Sequence, residues 1–127
     1  GGEIMANINS DPTGKNQHEK GAKCEDRKTR WSLLPWEIID GVARVLTKGA
    51  IKYTPGGWKE VPGAKDRYFD AMMRHWRKMN NGEYIDSDYI DESGVLQQGT
   101  NEPHWACFCC NALFLGYFFL KDKPKDL

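Results

Sequence analysis

Two sets of residues in this chain have types and spacings suited to chemistry. The first is acidic. Glu37 and Asp40 stand i, i+3, and Asp70, Glu83, Asp86, Asp88, Asp91 and Glu92 follow. On a helix such a pair projects its carboxylates from one face. Carboxylates are the usual ligands of Mg2+, which keeps positions open for water and phosphate oxygens. The plainer reading is that Glu37 and Asp40 favour the positive end of a helix dipole. The second set is His104 with Cys107, also i, i+3, in the run HWACFCCNALFLGYFFL from His104 to Leu120. His-x-x-Cys offers half of a zinc site, with His75 or Cys110 as further ligands, although a closed structural site usually draws on two well-spaced pairs. Two other readings stand beside it: a histidine and small thiols hydrogen-bonded within a core, or a His104 that orients a carboxylate or a water.

Basic residues cluster as Lys28 and Arg30, as Lys48 and Lys52, and as Arg74, Arg77 and Lys78. Arginine and lysine suit triphosphate oxygens, arginine through its bidentate fork. Trp31, Tyr53 and Trp58 lie near them in sequence and can stack on a base. Lys48, Arg77 and Lys78 taken singly read as a solvated helix face. His75 and Asn111 are polar groups placed among apolar neighbours. An unpartnered polar group in a core costs about 1–3 kcal/mol, so such groups point to a buried polar site.

The elements that must position these residues are helices. Ser32 and Pro35 mark a helix entrance, and a helix is expected from about Pro35 to Tyr53. Ile39, Val42, Ala43, Leu46 and Ala50 form its apolar stripe, with Glu37, Asp40, Arg44 and Lys48 opposite. Pro55-Gly56-Gly57 ends it. A second helix is expected from about Asp66 to Met79, with Tyr68, Met72, Trp76 and Met79 as its stripe and Asp70 and Arg74 at i, i+4. Residues 83–101 are acidic and turn-rich and read as a long loop of the kind that is often functional. The third helix, His104–Leu120, is apolar on every side and therefore belongs at the centre. No alternating strand pattern is present. The expected fold is all-α: a bundle of three to four helices, with a long acidic loop before the central apolar helix, completed by oligomerisation.

Composition sets the bounds. The chain has 127 residues, with 18 basic and 18 acidic side chains and a formal net charge of zero. That length suits one domain. The balance leaves no bulk field to attract nucleic acid or anionic lipid. Cys107, Cys109 and Cys110 crowd one helix and only Cys24 lies elsewhere. Close neighbours on a helix cannot bridge without strain, so reduced thiols and a cytoplasmic location are expected. The N-terminal stretch is polar, without the apolar core of a signal peptide. Trp105–Leu120 falls short of the roughly 20 residues a membrane span needs. Residues 1–27 read as a flexible arm, 28–121 as a single helical domain and 122–127 as a solvated tail. No Walker A loop, strand-borne GxGxxG or GxSxG elbow occurs.

An ordered series of short motifs runs through the domain: KTRWSLLPWE at Lys28–Glu37, GAIKY at Gly49–Tyr53, Arg74-His75, Gly82-Glu83, DESG at Asp91–Gly94, His104, and NALFL at Asn111–Leu115. Over roughly residues 23–120 it resembles the phage-associated dATP/dGTP diphosphohydrolase N-terminal family. That family is thought to be related to MazG-type all-α nucleotide pyrophosphohydrolases. The resemblance implies a Mg2+ enzyme, with Mn2+ as an alternative, that splits a purine deoxynucleoside triphosphate into monophosphate and pyrophosphate and reshapes a phage-infected cell's nucleotide pool. It implies Glu37 and Asp40 as the first metal pair, with Asp70 or Asp91–Glu92 as the second. Lys28, Arg30 and Arg74 would face the phosphates, and His104 or a carboxylate would take a proton from water. Cys107 stands where the family pattern has a histidine, and the lengthened loop offers both Asp86 and Asp91 for one family position. The remaining expectations are Lys52, Tyr53, Trp58, His75 and Asn111 in substrate binding, a homodimer or higher homo-oligomer, and no nucleic-acid or membrane partner. A silent pocket that sequesters a nucleotide is the alternative to catalysis, and a small zinc-stabilised interaction domain is a third reading.

Overall fold

A computed structural model describes residues 11–16 and 18–127. The chain divides into two compact units, Gly1–Leu34 and Pro35–Leu127. Part of the expected arm, residues 1–10 and Gln17, lies outside the described residues. In the first unit the described residues form successive turns and end in a 3-10 turn at Trp31–Leu33. Asp11 organises the turns by accepting the amides of Thr13 and Lys23. These bonds, Lys23's first, hold its carboxyl below the usual carboxylate range. Lys28, Arg30 and Trp31 belong to this unit and are exposed.

The second unit is helical: α1 spans Trp36–Lys52, α2 Ala64–Asn80 and α3 His104–Lys121. Pro35 precedes α1, and Glu37 in its first turn and Lys52 in its last suit the helix dipole. Gly82, with φ of 85°, takes the left-handed turn that closes α2. Both α1 and α2 pack against α3, which is the centre of the unit. No helix among the described residues is long and apolar enough to cross a membrane.

The inward face of α1 differs from the apolar stripe. Val42 is buried and Ile39 and Ala50 are half-buried as the stripe predicts, but Ala43 and Leu46 are exposed, and Ile38, Gly41, Val45 and Gly49 turn inward instead. Gly41 explains the rotation: a Cβ there would sit 2.5 Å from the Trp105 ring and 3.3 Å from the Ala106 Cβ. The missing side chain lets α3 approach the backbone of α1. On α2, Tyr68, Met72 and Met79 are half-buried as the periodicity predicts, but Trp76 is exposed and lies 5.6 Å from the Phe108 ring. The Asp70–Arg74 pair expected at i, i+4 forms no ion pair among the described residues. On α3 the buried residues are His104, Ala106, Cys107, Cys110 and Asn111, while Leu113, Phe119 and Leu120 are exposed. The fully buried residues thus lie in the first half of the helix, while its second half packs one side, Phe114, Tyr117 and Phe118, against Trp58 and Tyr68 and leaves the other exposed.

The acidic stretch is not an open loop. Tyr89–Ile90 (β1) and Leu96–Gln97 (β2) pair antiparallel. The turn between them is set by Asp91, whose Oδ1 accepts the amides of Ser93 and Val95, and by Gly94 at φ 79°. This small hairpin is the departure from an all-α fold. Two-residue strands are too short for an alternation to show in sequence. Residues 84–86 also run antiparallel to 101–104, through Asp86 N to Glu102 O (2.9 Å), Asn101 N to Asp86 O (2.8 Å) and His104 N to Tyr84 O (2.8 Å). The stretch is thus a clasp fastened at the start of α3.

Candidate functional site

A cleft of about 1390 Å3 opens between the C-terminal half of α1 and the facing side of α2, with α3 as its floor and the clasp closing one end. Six residues expected to bind substrate line it: Lys52, Tyr53, Trp58, Arg74, His75 and Asn111, joined by Asp70. Each helix contributes through its own register. Lys52 and Tyr53 close α1, and Asp70, Arg74 and His75 share the α2 face toward the cleft. Asn111 lies one turn beyond Cys107 and donates Nδ2 to that residue's carbonyl at 2.8 Å. Trp58 is a packing residue as well as a wall. Its ring stacks on Phe114 at 4.3 Å and meets Tyr117 edge-on at 4.9 Å. Its carbonyl accepts the Tyr68 hydroxyl at 2.8 Å. Tyr53 is exposed, with the Lys52 ammonium 5.2 Å from its ring centre.

Behind the cleft a chain of three polar side chains runs from exposed Glu83 to His75, the member that lines the cleft. Glu83 Oε2 lies 2.6 Å from His104 Nε2, and His104 Nδ1 lies 2.8 Å from His75 Nδ1. A carboxylate only accepts, so His104 donates from Nε2 and, when neutral, accepts at Nδ1. His75 must then donate from Nδ1, which leaves the lone pair on its Nε2. Burial, the largest influence, pushes the His75 pKa down, opposed by the Asp86 charge. His75 is therefore held as the neutral imidazole. His104 is fully buried and touches the cleft through His75 alone, so it orients rather than meets a substrate.

Next to His75 lie Asp86 and Cys107, and one ligand atom from each of the three falls within 4.8 Å of the others. Two independent constraints hold Asp86 there. Its Oδ2 accepts the Thr100 amide at 2.9 Å, and Gly99 passes so close that a Cβ would lie 2.7 Å from the Asp86 carbonyl carbon. Only glycine fits there. The Thr100 hydroxyl lies 3.2 Å from Cys107 Sγ. Burial pushes the Cys107 thiol up, and lifts Cys110, one turn on, to about 12. The clasp is tied to α1 by Glu102, which accepts from Arg44 Nε at 2.8 Å and Lys48 Nζ at 2.6 Å. These bonds, Lys48's first, hold Glu102 below the usual carboxylate range. Lys48, read from sequence as a solvated position, is thus a brace.

The acids expected as metal ligands are not brought together. Glu37 and Asp40 are exposed on α1 and do not line the cleft. Asp70 does line it. Asp91 spends Oδ1 on the hairpin turn and Oδ2 on Gln97 at 2.9 Å, bonds that lower its pKa, with Val95's the largest. Glu92 is exposed beside it. Glu37, Asp40, Asp70, Asp91 and Glu92 thus form no group of three ligands within one another's reach among the described residues. Among the described residues, the group of His, Cys, Asp and Glu within ligation reach is His75, Asp86 and Cys107. Of the zinc set read from sequence, His75 and Cys107 belong to it. His104 has both ring nitrogens occupied, and Cys110 is not part of the group. The sequence does not show that Glu83 meets His104, and it marks Glu83 and Asp86 only as members of the acidic set, with Asp86 competing with Asp91 for one family position. The signal that distinguishes them is Gly99 and Thr100, fifteen or so residues away and invisible to helical periodicity.

A family model described as dATP/dGTP diphosphohydrolase, N-terminal, matches residues 18–127. A dATP/dGTP diphosphohydrolase of Salmonella phage PMBT28 is 28% identical over 107 residues, covering 84% of this chain and 32% of the relative. The chain thus spans about a third of that relative's length. No solved structure matches it. The match includes both walls of the cleft, its floor and the clasp, and the chain belongs to the dATP/dGTP diphosphohydrolase N-terminal family.

Proposed function

We propose that this chain binds a purine deoxynucleoside triphosphate, dATP or dGTP, in the cleft between α1 and α2 and hydrolyses it to the monophosphate and pyrophosphate. The observation that carries this reading is the lining of the cleft: the cations Lys52, Arg67 and Arg74 share one cavity with Tyr53 and Trp58. Phosphate oxygens take the cations and a base takes the aromatic rim. The volume exceeds that of a typical small-ligand pocket, roughly 300–1,000 Å3, and leaves room for a nucleotide with its water. Family membership supports the substrate class, since the phage relative is a dATP/dGTP diphosphohydrolase.

In the reaction, water attacks the α-phosphorus, the bond to the bridging α–β oxygen breaks, and pyrophosphate leaves with that oxygen. Arg74, Lys52 and Arg67 neutralise the charge that grows on the leaving group. Asp70 lines the cleft with no hydrogen-bond or ion-pair partner among the described residues and takes the proton from the attacking water. A divalent cation, Mg2+ or Mn2+, accompanies the triphosphate as its counterion. The expected test result is that Asp70→Asn lowers kcat by about 10²–10⁴-fold while nucleotide binding persists. Full activity in that variant would remove Asp70 from the reaction. Binding without turnover in the unaltered protein would instead favour the sequestering pocket.

The working assembly we propose is a homo-oligomer in the cytoplasm of the infected cell. The apolar residues buried within the chain are small, Val42, Ala64, Ala106, Cys107 and Cys110, while Trp36, Ile51, Phe119 and Leu120 stand exposed. Apolar surface of that kind favours association.

A further inference from the structure

We propose that His75, Asp86 and Cys107 form a binding site for a zinc-class divalent ion, Zn2+ or Co2+, at the floor of the cleft. Imidazole nitrogen, carboxylate oxygen and thiolate sulfur are the ligand types such ions take, and a thiolate selects against Mg2+. The three ligand atoms lie within 4.8 Å of one another. Ligands around tetrahedral zinc stand about 3.5 Å apart. Small side-chain rotations close that difference, and three protein ligands leave a fourth position facing the cleft.

A second observation points the same way. The relay Glu83–His104–His75 fixes the tautomer of His75, with both His104 nitrogens engaged at 2.6 and 2.8 Å. A carboxylate–histidine chain behind an imidazole is the usual device that orients a ligating nitrogen and raises its basicity, here running from the exposed Glu83 through the fully buried His104. Here it engages His75 Nδ1 and leaves Nε2, which has no hydrogen-bond partner among the described residues, as the nitrogen with a lone pair to give. Thr100 of the clasp bonds both other residues, by its amide to Asp86 at 2.9 Å and its hydroxyl to Cys107 at 3.2 Å. Cys107 enters as a thiol, and coordination releases its proton to solvent while the thiolate–metal bond forms. Glu83 and His104 are positioning residues for this site.

The inference rests on the nucleotide reading only for what the open position would face, and its test uses no nucleotide. Co2+ is titrated into the whole chain and the absorption spectrum is followed. A sulfur-to-cobalt charge-transfer band that saturates at one equivalent, resists excess Mg2+ and is displaced by Zn2+ is the expected result. Cys107→Ser and His75→Gln should abolish the band, whereas Cys110→Ser should keep it. Cys107→His should bind Co2+ with the visible bands but without the sulfur band. Glu83→Gln should weaken the affinity about 10–100-fold without changing the spectrum. No sulfur–cobalt band in the unaltered protein, or a band lost in Cys110→Ser and kept in Cys107→Ser, overturns the site. If the band appears without turnover of any nucleotide, the site stands and the hydrolase reading falls. If turnover occurs with Mg2+ and no band forms, the reverse holds.

Discussion

At the residue scale the site depends on which groups stay neutral. His75 is kept uncharged by burial, whereas in the unfolded chain it takes up a proton near its ordinary 6.5. Below that value the unfolded state binds the extra proton first, so stability falls with acidification from about 6.5 down to the lower folded pKa. The groups facing His75 are Asp86, His104, Arg74 and Lys78. Thermal melts across this range should show the decline, with a shallower slope in His75→Gln. An equal slope in both would contradict the assignment. Cys110 lies at the other extreme. Its thiol is pushed up to about 12, against an ordinary 9.0, so its contribution to stability is complete below pH 9 and is lost as pH rises toward 12. Iodoacetamide at pH 8 should therefore label Cys110 far more slowly in the folded protein than in denaturant, as mass spectrometry of the peptide would show. Comparable rates would mean the thiol is not shielded. Candidate side chains were legible at this scale because their types are chemical statements in themselves. Their partners were not. Nothing near His104 in sequence says that Glu83 and His75 flank it.

At the element scale two glycines do what no side chain could. Gly41 admits Trp105 against α1, and Gly99 admits the clasp against Asp86. Gly41→Ala should destabilise the fold by about 1–3 kcal/mol through overpacking, read as a lowered denaturation midpoint. An unchanged midpoint would mean that the α1–α3 contact is looser than it looks. Gly99→Ala should displace Asp86 and weaken metal binding while leaving the helices intact by circular dichroism. The three helices were legible because their periodicity is strong and Pro and Gly bound them. The face of α1 was not, because glycine carries no weight in an apolar stripe yet marks the closest approach. Residues 83–101 were the hardest to read. Their structure is made of backbone pairing to 101–104 and of the side chains of Asp86, Asp88, Asp91 and Glu102, none of which has a period.

At the scale of the whole molecule, small buried side chains and large exposed ones suggest a chain that finishes its core by association. Sedimentation should find a dimer or a larger species at micromolar concentration, and a monomer would count against that assembly. The family was legible in the ordered series from Lys28 to Leu115, because that order survives where each motif alone is weak. The placement of the acids was not, since Glu37 and Asp40 lie exposed on α1 away from the cleft while Asp86 is carried in by the clasp. The central claim is that the cleft turns over a purine deoxynucleoside triphosphate. The decisive measurement incubates the protein with dATP, dGTP, the pyrimidine deoxynucleotides and the ribonucleotides, with Mg2+, Mn2+ or Zn2+ added in turn, and separates the products by chromatography. Monophosphate and pyrophosphate in equal amounts, from dATP or dGTP in preference to the others, is the predicted result. Intact nucleotide under every metal would contradict it.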